Sequence, residues 1–382
     1  PYTDQLDCCD EIGLMVYEEN LATWVLGDSP QMAERYDRAF REMVLRDRNH
    51  PSVTIWGMIN EMQDGPVFRR AVHDLHLVRD LDPTRLVLLA SGRWDAQPTI
   101  GSVSNPGSRE WEPVWGVEGP GAPQVNPTLN WSPGGYIDRA GDAHFYPMLP
   151  KKPEFAKMLR TLGADTKPVF LSEGGVGSQF NAVDELRGYD RFGSGKDLVE
   201  ATMFRQWIER FTADLKKFRM EEVYPFPADF FRNSYRHHTD QRRLLFDLVR
   251  SNPQFCGYNV TGLLDHGITG EGLWTFWRRW KPGIADVLED GWSPLRWCLF
   301  VDPMHGYAGR PIQVEAVLAN EDVMPPGDYP ACFRIWGPQG ILWEKRATVR
   351  MPAAAKRGGG PPLAVPVLKA KVRLNAPAGE YV

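Results

Sequence analysis

The sequence predicts an α/β protein built on a (β/α)8 TIM barrel that lacks its first two strands in this chain, followed by an all-β immunoglobulin-like sandwich. Six apolar runs alternate with helical patterns over roughly the first 300 residues, which is typical of βαβ units arranged around a barrel. After Trp297 the pattern changes to short β-rich runs separated by proline and glycine. Such a pattern predicts a separate β-sandwich.

Helices are predicted where apolar residues recur at helical spacing. In the most regular of them, Tyr36, Phe40 and Val44 share one face of an otherwise charged sequence, and Pro51 follows its end. The predicted helices are residues 2–12, 31–48, 66–80, 154–162, 197–219 and 236–250.

Strands are predicted where short apolar runs are continuous. Residues 53–59 are apolar on both faces, as a strand must be in a parallel sheet that helices cover. Since a barrel of this kind has eight strands, the first two are expected upstream of Pro1. The predicted strands are residues 14–17, 53–59, 85–90, 142–146, 168–172 and 257–263.

The change of pattern places the domain boundary near residues 300–310. We therefore expect an N-terminally truncated barrel domain over residues 1–303 and a C-terminally incomplete β-sandwich domain over residues 304–382. The chain begins with Pro1 rather than methionine and ends in a strand-like segment, which suggests that both natural termini lie outside it. The strands of the second domain are expected at residues 312–318, 332–336, 342–349 and 365–374.

Composition argues against several classes of protein. The chain has 44 basic and 49 acidic side chains and a net charge of −5, so it lacks the cationic surface that nucleic acid binding requires. It has no apolar run of about 18 residues, so no membrane span is predicted. The five cysteines form no CxxC pair and no cluster with histidine, so neither a metal site nor a disulfide framework is predicted. The 14 Trp and 12 Tyr residues fit both sugar stacking and core packing.

Two predicted strands end in a carboxylate, Glu61 in Trp56–Glu61 and Glu173 in Phe170–Glu173. Strand ends of a barrel open onto one face, so both side chains are expected in one pocket. One such glutamate alone is more often a solvated charge or an ion-pair partner. Two together fit glycoside hydrolysis, in which one carboxyl group protonates the leaving oxygen and the other attacks the anomeric carbon.

The stretch Arg46–Glu61 resembles the acid/base signature of glycoside hydrolase family 2, the group of β-galactosidases, β-glucuronidases and β-mannosidases. Asp10–Glu19 resembles the third helix-to-strand passage of that family, and Lys167–Glu173 resembles its seventh strand. The resemblance covers about residues 1–300. It implies that Glu61 is the general acid/base, that Asn60 binds the sugar 2-hydroxyl, and that Glu173 is the nucleophile.

The resemblance also suggests further substrate-binding residues. His144 and Tyr146 end the strand that contributes pocket groups near the nucleophile in this family, although a lone histidine is as often structural. Trp24 stands where the family's β-galactosidases have a histidine. Trp274 could form a stacking platform or pack between domains. His50 precedes its strand and is expected to be structural.

The leading hypothesis is a retaining β-glycosidase, most similar to a β-galactosidase, that removes a terminal β-linked sugar through a covalent glycosyl-enzyme intermediate. The chemistry needs no metal or organic cofactor, and the expected partner is the carbohydrate substrate. The alternative hypothesis is a non-catalytic carbohydrate-binding or structural barrel protein. The presence of Glu61, Glu173 and Asn60 favours the enzyme.

Overall fold

The computed structural model describes residues 2–23, 26–62, 65–92, 103–104, 142–162, 169–193, 197–266, 269–353 and 362–382. Helices span Thr3–Ile12, Met32–Asp47, Pro66–His73, Leu75–Leu81, Pro153–Thr161, Ala182–Arg191, Val199–Lys217, Pro227–Arg250 and Ile284–Trp292, with a 3-10 turn at Met220–Glu222. Strands are β1 (Val16–Glu19), β2 (Val53–Asn60), β3 (Leu86–Ser91), β4 (Val103–Ser104), β5 (Asp142–Phe145), β6 (Val169–Gly174), β7 (Phe255–Tyr258), β8 (Leu295–Asp302), β9 (Pro311–Asn320), β10 (Gly327–Gly337), β11 (Gly340–Met351) and β12 (Ala364–Arg373). None of the helices in these ranges is both long and apolar enough to cross a bilayer.

The chain folds into two compact units. The first comprises Pro1–Phe145, Thr161–Gly174 and Gln254–Asn259, and the second comprises Tyr146–Arg160, Gly175–Pro253 and Val260–Val382. The first unit contains two sheets, with strand orders β1-β2-β3-β4 and β5-β6-β7. All neighbours in these sheets are parallel except β3 and β4. Strands β1 to β3 and β5 to β7 overlap the six predicted runs. The prediction was wrong in the bounds of β1, expected at residues 14–17, and of β7, expected at residues 257–263.

Burial in the first unit follows the predicted pattern. Trp56, Met58 and Ile59 of β2 are completely buried, which fits a strand covered on both faces. Helix Met32–Asp47 buries Tyr36, Phe40 and Val44 at intervals of four residues, as an amphipathic helix against a sheet requires. These contacts form the main apolar core of the first unit.

Aromatic rings link strands of the two sheets in the first unit. The Tyr17 ring on β1 meets the Phe170 ring on β6 edge-on, with centroids 5.6 Å apart. A Cβ atom at Gly57 would lie 2.5 Å from the Tyr17 hydroxyl oxygen, so only glycine fits there. Side chains therefore fill the space between these strands, as they fill the interior of a small barrel.

Several helical segments differ from the sequence prediction. The helix expected at residues 236–250 begins at Pro227, and helix Ile284–Trp292 was not predicted. The helix expected at residues 66–80 is two helices separated at Asp74, whose carboxylate pairs with Arg70 at 3.2 Å and His73 at 2.9 Å. Helix Ala182–Arg191 was not predicted. It contains Gly188, which lowers helix propensity but is required because a Cβ atom there would lie 2.1 Å from the Trp277 ring.

The C-terminal part of the second unit is antiparallel β structure. Strands β8, β9 and β12 form one sheet in the order β12-β9-β8, and β10 pairs with β11. Leu318, Val349, Met351 and Val365 form an apolar cluster that contains residues of both sheets. The first strand of this sheet begins at Leu295, before the predicted domain boundary.

A buried carboxylate pair in the first unit predicts a pH-dependent stability. Glu18 and Asp47 have side chains that are 1% and 0% exposed, and Arg46 contacts both. Burial and the hydrogen bond shared with Asp47 raise the pKa of Glu18 from 4.5 to about 7. Because the pKa of Glu18 is raised in the folded state, protonated Glu18 stabilises the fold. This stabilisation is complete below the ordinary carboxyl pKa and is lost as the pH rises through about 7.

We expect the free energy of unfolding to fall by roughly 1–3 kcal/mol between mildly acidic and mildly alkaline pH. Glu18→Gln should flatten this dependence because the amide has no proton to lose in that range. Urea unfolding at both pH values measures it, with exposed Glu42→Gln as the control. An equal fall in wild type and Glu18→Gln would contradict the prediction.

Candidate active site

The structure brings Glu61, Glu173 and His144 together in the first unit. One carboxylate oxygen of each glutamate and one ring nitrogen of His144 all lie within 4.8 Å of one another. The side chains of Glu61 and Glu173 are 19% and 24% exposed. The two carboxylates that the sequence singles out are therefore close neighbours and remain accessible to a ligand.

The ends of parallel strands place these residues. Glu61 directly follows β2, and Glu173 is the penultimate residue of β6. His144 on β5 pairs in register with Glu173. Because parallel strands end on the same side of their sheet, residues at these positions converge on one face of the unit.

The backbone of Glu61 is unusual. Its φ angle is 49°, in the left-handed region that side-chain-bearing residues seldom adopt. The Glu61 amide donates a 2.8 Å hydrogen bond to the Ser91 carbonyl oxygen, which holds the turn against β3. Strained residues of this kind concentrate at functional sites.

His144 lies between the two carboxylates. Its Nδ1 atom is 2.7 Å from Glu61 Oε1 and 3.6 Å from Glu173 Oε2, and its side chain is 6% exposed. Burial alone lowers the pKa of His144, but the hydrogen bond to Glu61 and the negative charges of Glu173 and Asp142 outweigh burial and raise the pKa above 6.5. A Cβ atom at Gly92 would lie 1.9 Å from the His144 ring, so glycine is needed for this placement.

Asn60 belongs to a row of polar side chains on the first three strands. Asn60 pairs in register with Ser91, and their Oδ1 and Oγ atoms are 2.8 Å apart. Ser91 Oγ is also 2.7 Å from Glu19 Oε1, which accepts a hydrogen bond from the Tyr17 hydroxyl. Asn60 Nδ2 lies 3.4 Å from Thr23 Oγ1.

A second polar group, which the sequence prediction missed, supports β6 beside the nucleophile candidate. The buried Asp142 carboxylate accepts hydrogen bonds from the Gly92 amide at 2.7 Å and the Ser172 hydroxyl at 3.1 Å. Asn259, just after β7, donates to the Ser172 carbonyl oxygen at 3.2 Å. These contacts hold the residue directly before Glu173. Ser91 and Glu19 are the last residues of β3 and β1, which was the available sequence signal, whereas Asp142 begins β5 and gave no such signal.

The other predicted substrate-binding residues are not in this group. Trp24 lies outside the described residues. Tyr146 directly follows β5 but belongs to the second unit. Trp274 is also in the second unit, where its ring meets the Trp280 ring edge-on at 5.1 Å. Their predicted contacts with a sugar remain predictions.

Among the residues that the structure describes, two groups have a spacing that would suit a divalent ion. One is the group of Glu61, His144 and Glu173, and the other is Asp7, Asp10 and His50. In the second group, His50 Nδ1 is 2.7 Å from Asp10 Oδ2 at the start of β2. Internal hydrogen bonds account for both arrangements, and the absence of a metal requirement stays a prediction.

Comparison with known proteins gives a family match and several relatives. Residues 1–113 match the family described as glycosyl hydrolases family 2, TIM barrel domain. A β-galactosidase of Thermoanaerobacterium thermosulfurigenes is 40% identical over 81 residues, which cover 21% of this chain and 11% of that protein. A β-galactosidase of Alteromonas mediterranea is 36% identical over 102 residues, covering 24% of this chain and 9% of that protein.

A solved structure extends the comparison to nearly the whole chain. The alignment with the β-D-mannosidase of Dictyoglomus thermophilum covers 98% of this chain and 40% of the mannosidase chain, with 14% sequence identity and a TM-score of 0.50. The family match and this likeness support a TIM barrel fold. This chain covers only a small part of the length of its curated relatives.

Proposed function

Because residues 1–113 match the TIM barrel domain of glycosyl hydrolases family 2, we propose that this chain hydrolyses a terminal β-linked sugar with retention of configuration. The observation that carries the proposal is the placement of one oxygen of Glu61 and one of Glu173 within 4.8 Å of each other. Retaining glycosidases hold their two carboxyl groups about 5–5.5 Å apart, whereas inverting enzymes need about 6.5–9.5 Å to admit a water.

In the proposed mechanism Glu61 is the general acid/base and Glu173 is the nucleophile. The Glu173 carboxylate attacks the anomeric carbon while Glu61 gives a proton to the leaving oxygen, forming a covalent glycosyl-enzyme intermediate. Glu61 then takes a proton from water, which attacks the same carbon and releases the sugar. Asn60, next to Glu61, binds the 2-hydroxyl of the sugar. This chemistry needs no cofactor.

His144 is proposed to hold the catalytic proton near Glu61 in the free enzyme. Its Nδ1 atom is hydrogen-bonded to Glu61 at 2.7 Å, and its pKa is raised by that bond and by Glu173. His144 thus retains its proton to a higher pH than histidine usually does and holds it beside the Glu61 carboxylate.

His144→Gln is expected to move the alkaline limb of the kcat/KM profile to lower pH. The raised pKa means that His144 stays protonated above 6.5 and loses its proton as the pH rises through the raised value. Glutamine can contact Glu61 but cannot hold that proton. The pH profile for a phenyl glycoside measures the shift, with exposed His305→Gln as the control. Superimposable profiles for wild type and His144→Gln would refute this role.

A β-galactosidase-like specificity is the leading proposal for the substrate. It is supported by the β-galactosidases among the relatives, whereas the solved neighbour is a β-D-mannosidase. That Trp24, Tyr146 and Trp274 bind the sugar stays a proposal that rests on the family resemblance alone. Initial rates with nitrophenyl β-galactoside, β-glucuronide, β-mannoside and α-arabinoside identify the sugar. Absence of turnover with all four would contradict the proposed function.

We also propose a finer description of the fold. Among the described residues β1 pairs only with β2, and β7 pairs only with β6. Each of these strands therefore has one free edge, which supports a barrel of which β1 to β3 and β5 to β7 are six strands and the first two strands are not among them. The packed antiparallel sheets of strands β8 to β12 support an immunoglobulin-like sandwich.

A further inference from the structure

We propose that Glu19 is a positioning residue that acts through Ser91 to set which atom of the Asn60 amide faces the sugar, and thereby sets recognition of the sugar 2-hydroxyl. The inference rests on the proposed function of Asn60. The sequence prediction selected Asn60 but neither Glu19 nor Ser91. Three neighbouring strands end in these residues: β1 in Glu19, β2 in Asn60 and β3 in Ser91.

The contacts form one continuous row. Glu19 Oε1 is 2.7 Å from Ser91 Oγ, and Ser91 Oγ is 2.8 Å from Asn60 Oδ1. Ser91 is buried, so protein groups rather than bulk water determine the direction of its hydroxyl proton. The Tyr17 hydroxyl donates to the same Glu19 oxygen and fixes that end of the row.

The number of available protons decides which group donates each hydrogen bond along the row. A serine hydroxyl carries one proton, so Ser91 can donate to Glu19 or to Asn60 but not fully to both. If Glu19 keeps its proton and donates to Ser91, then Ser91 donates to Asn60 Oδ1. Asn60 then presents its NH2 group to Thr23 and to a ligand. If Ser91 donates to an ionised Glu19 instead, Asn60 must turn its NH2 group toward Ser91.

The structure places Asn60 Oδ1 toward Ser91 and Nδ2 toward Thr23, which is the Asn60 orientation of the first arrangement. The 2.7 Å between Ser91 Oγ and Glu19 Oε1 fits donation in either direction. The groups around Glu19 are consistent with a retained proton. Burial raises the pKa of Glu19 and the charge of Asp142 adds to the rise, although Tyr17, Ser91 and the charge of His144 oppose it. Asn60 therefore meets the 2-hydroxyl as a hydrogen-bond donor.

A purely structural role for the row makes a different prediction. Loss of packing would slow every substrate alike, whereas loss of Asn60 orientation should slow only a substrate that has the 2-hydroxyl. The diagnostic quantity is therefore the ratio of kcat/KM for the 2-hydroxy glycoside to kcat/KM for its 2-deoxy analogue, measured for the sugar that the full chain hydrolyses fastest.

The experiment compares Ser91→Ala, Glu19→Leu and Glu19→Gln with Asn60→Ala. Ser91→Ala removes only the linking hydroxyl, and Glu19→Leu removes both oxygens. We expect each of these variants, like Asn60→Ala, to lower the ratio about tenfold, because a fixed hydrogen bond to the 2-hydroxyl is lost. Glu19→Gln keeps a donor for Ser91 and is expected to stay within about threefold of wild type.

A double-substitution test separates coupling from coincidence. Once Asn60→Ala is present, Ser91→Ala should not lower the ratio further, because it acts only through Asn60. Thr54→Val is the matched control, since its hydroxyl donates at 3.2 Å to the Val16 carbonyl oxygen at the other end of β2. It is expected to leave the ratio unchanged.

Two failures can be told apart. If wild type turns over both substrates and Ser91→Ala and Glu19→Leu lower kcat/KM equally for both, the positioning role of Glu19 is overturned while the proposed function stands. If the ratio falls in Glu19→Gln as far as in Glu19→Leu, donation from Glu19 is overturned. If wild type hydrolyses neither substrate, the proposed function fails and this inference fails with it.

Discussion

Glu173→Ala is expected to lower kcat for an aryl β-glycoside by about 10⁴-fold or more. The reason is that this variant has no carboxylate to form the covalent bond to the anomeric carbon, and Glu61, in its proposed acid/base role, acts from the leaving-group side of the sugar. Stopped assays with a nitrophenyl glycoside measure the loss. Glu42→Ala, on the exposed face of helix Met32–Asp47, is the matched control and should retain wild-type activity.

Azide tests the role of Glu173 independently of the size of the loss. In Glu173→Ala the small anion can occupy the space of the missing carboxylate and attack from its side of the ring. The product of a β-glycoside should then be an α-glycosyl azide, because one displacement inverts the anomeric centre. Recovery of a β-glycosyl azide, or undiminished hydrolysis without azide, would show that another group is the nucleophile.

Glu61→Ala is expected to have an effect that depends on the leaving group. For an alkyl or phenyl glycoside, which needs a proton on the departing oxygen, kcat/KM should fall by about 10²–10⁴-fold. For a dinitrophenyl glycoside the leaving anion is already stable, so the fall in kcat/KM should be less than about tenfold. A series of aryl glycosides with graded phenol pKa values measures this dependence.

The product formed with azide again identifies the face of the sugar. In Glu61→Ala the glycosyl-enzyme on Glu173 should be intercepted from the opposite side, which gives a β-glycosyl azide after two inversions. An equal loss of kcat/KM for all leaving groups would assign Glu61 a binding role instead. An α-glycosyl azide would place Glu61 on the wrong face of the sugar.

Much of the fold was predictable because its signals are local. The continuous apolar run at residues 53–59 predicts β2, and the four-residue spacing of Tyr36, Phe40 and Val44 predicts the helix that packs near it. The prediction was less accurate where a tertiary contact overrides local preference. Gly188 disfavours a helix by itself, yet it lies in helix Ala182–Arg191 against Trp277.

The candidate site was partly predictable for the same reason. A carboxylate that ends a buried strand is visible in the sequence, which identified Glu61 and Glu173. The same rule applied to β1 and β3 would have selected Glu19 and Ser91. They were missed because β1 ends in two adjacent glutamates and β3 ends in a small serine, and both patterns are common at ordinary strand ends. The sugar contact expected of His144 stays a prediction, and its hydrogen bond to Glu61 was not predicted.

The sequence by itself determined the alternation of strands and helices, the two carboxylates at strand ends and the resemblance to a family, because each depends on residues that are neighbours along the chain. Only the tertiary structure decided that Glu61, His144 and Glu173 lie within 4.8 Å and that Glu19 reaches Asn60 through Ser91. Those distances depend on the register between strands far apart in sequence. Register results from the packing of the whole unit and leaves no local pattern to read.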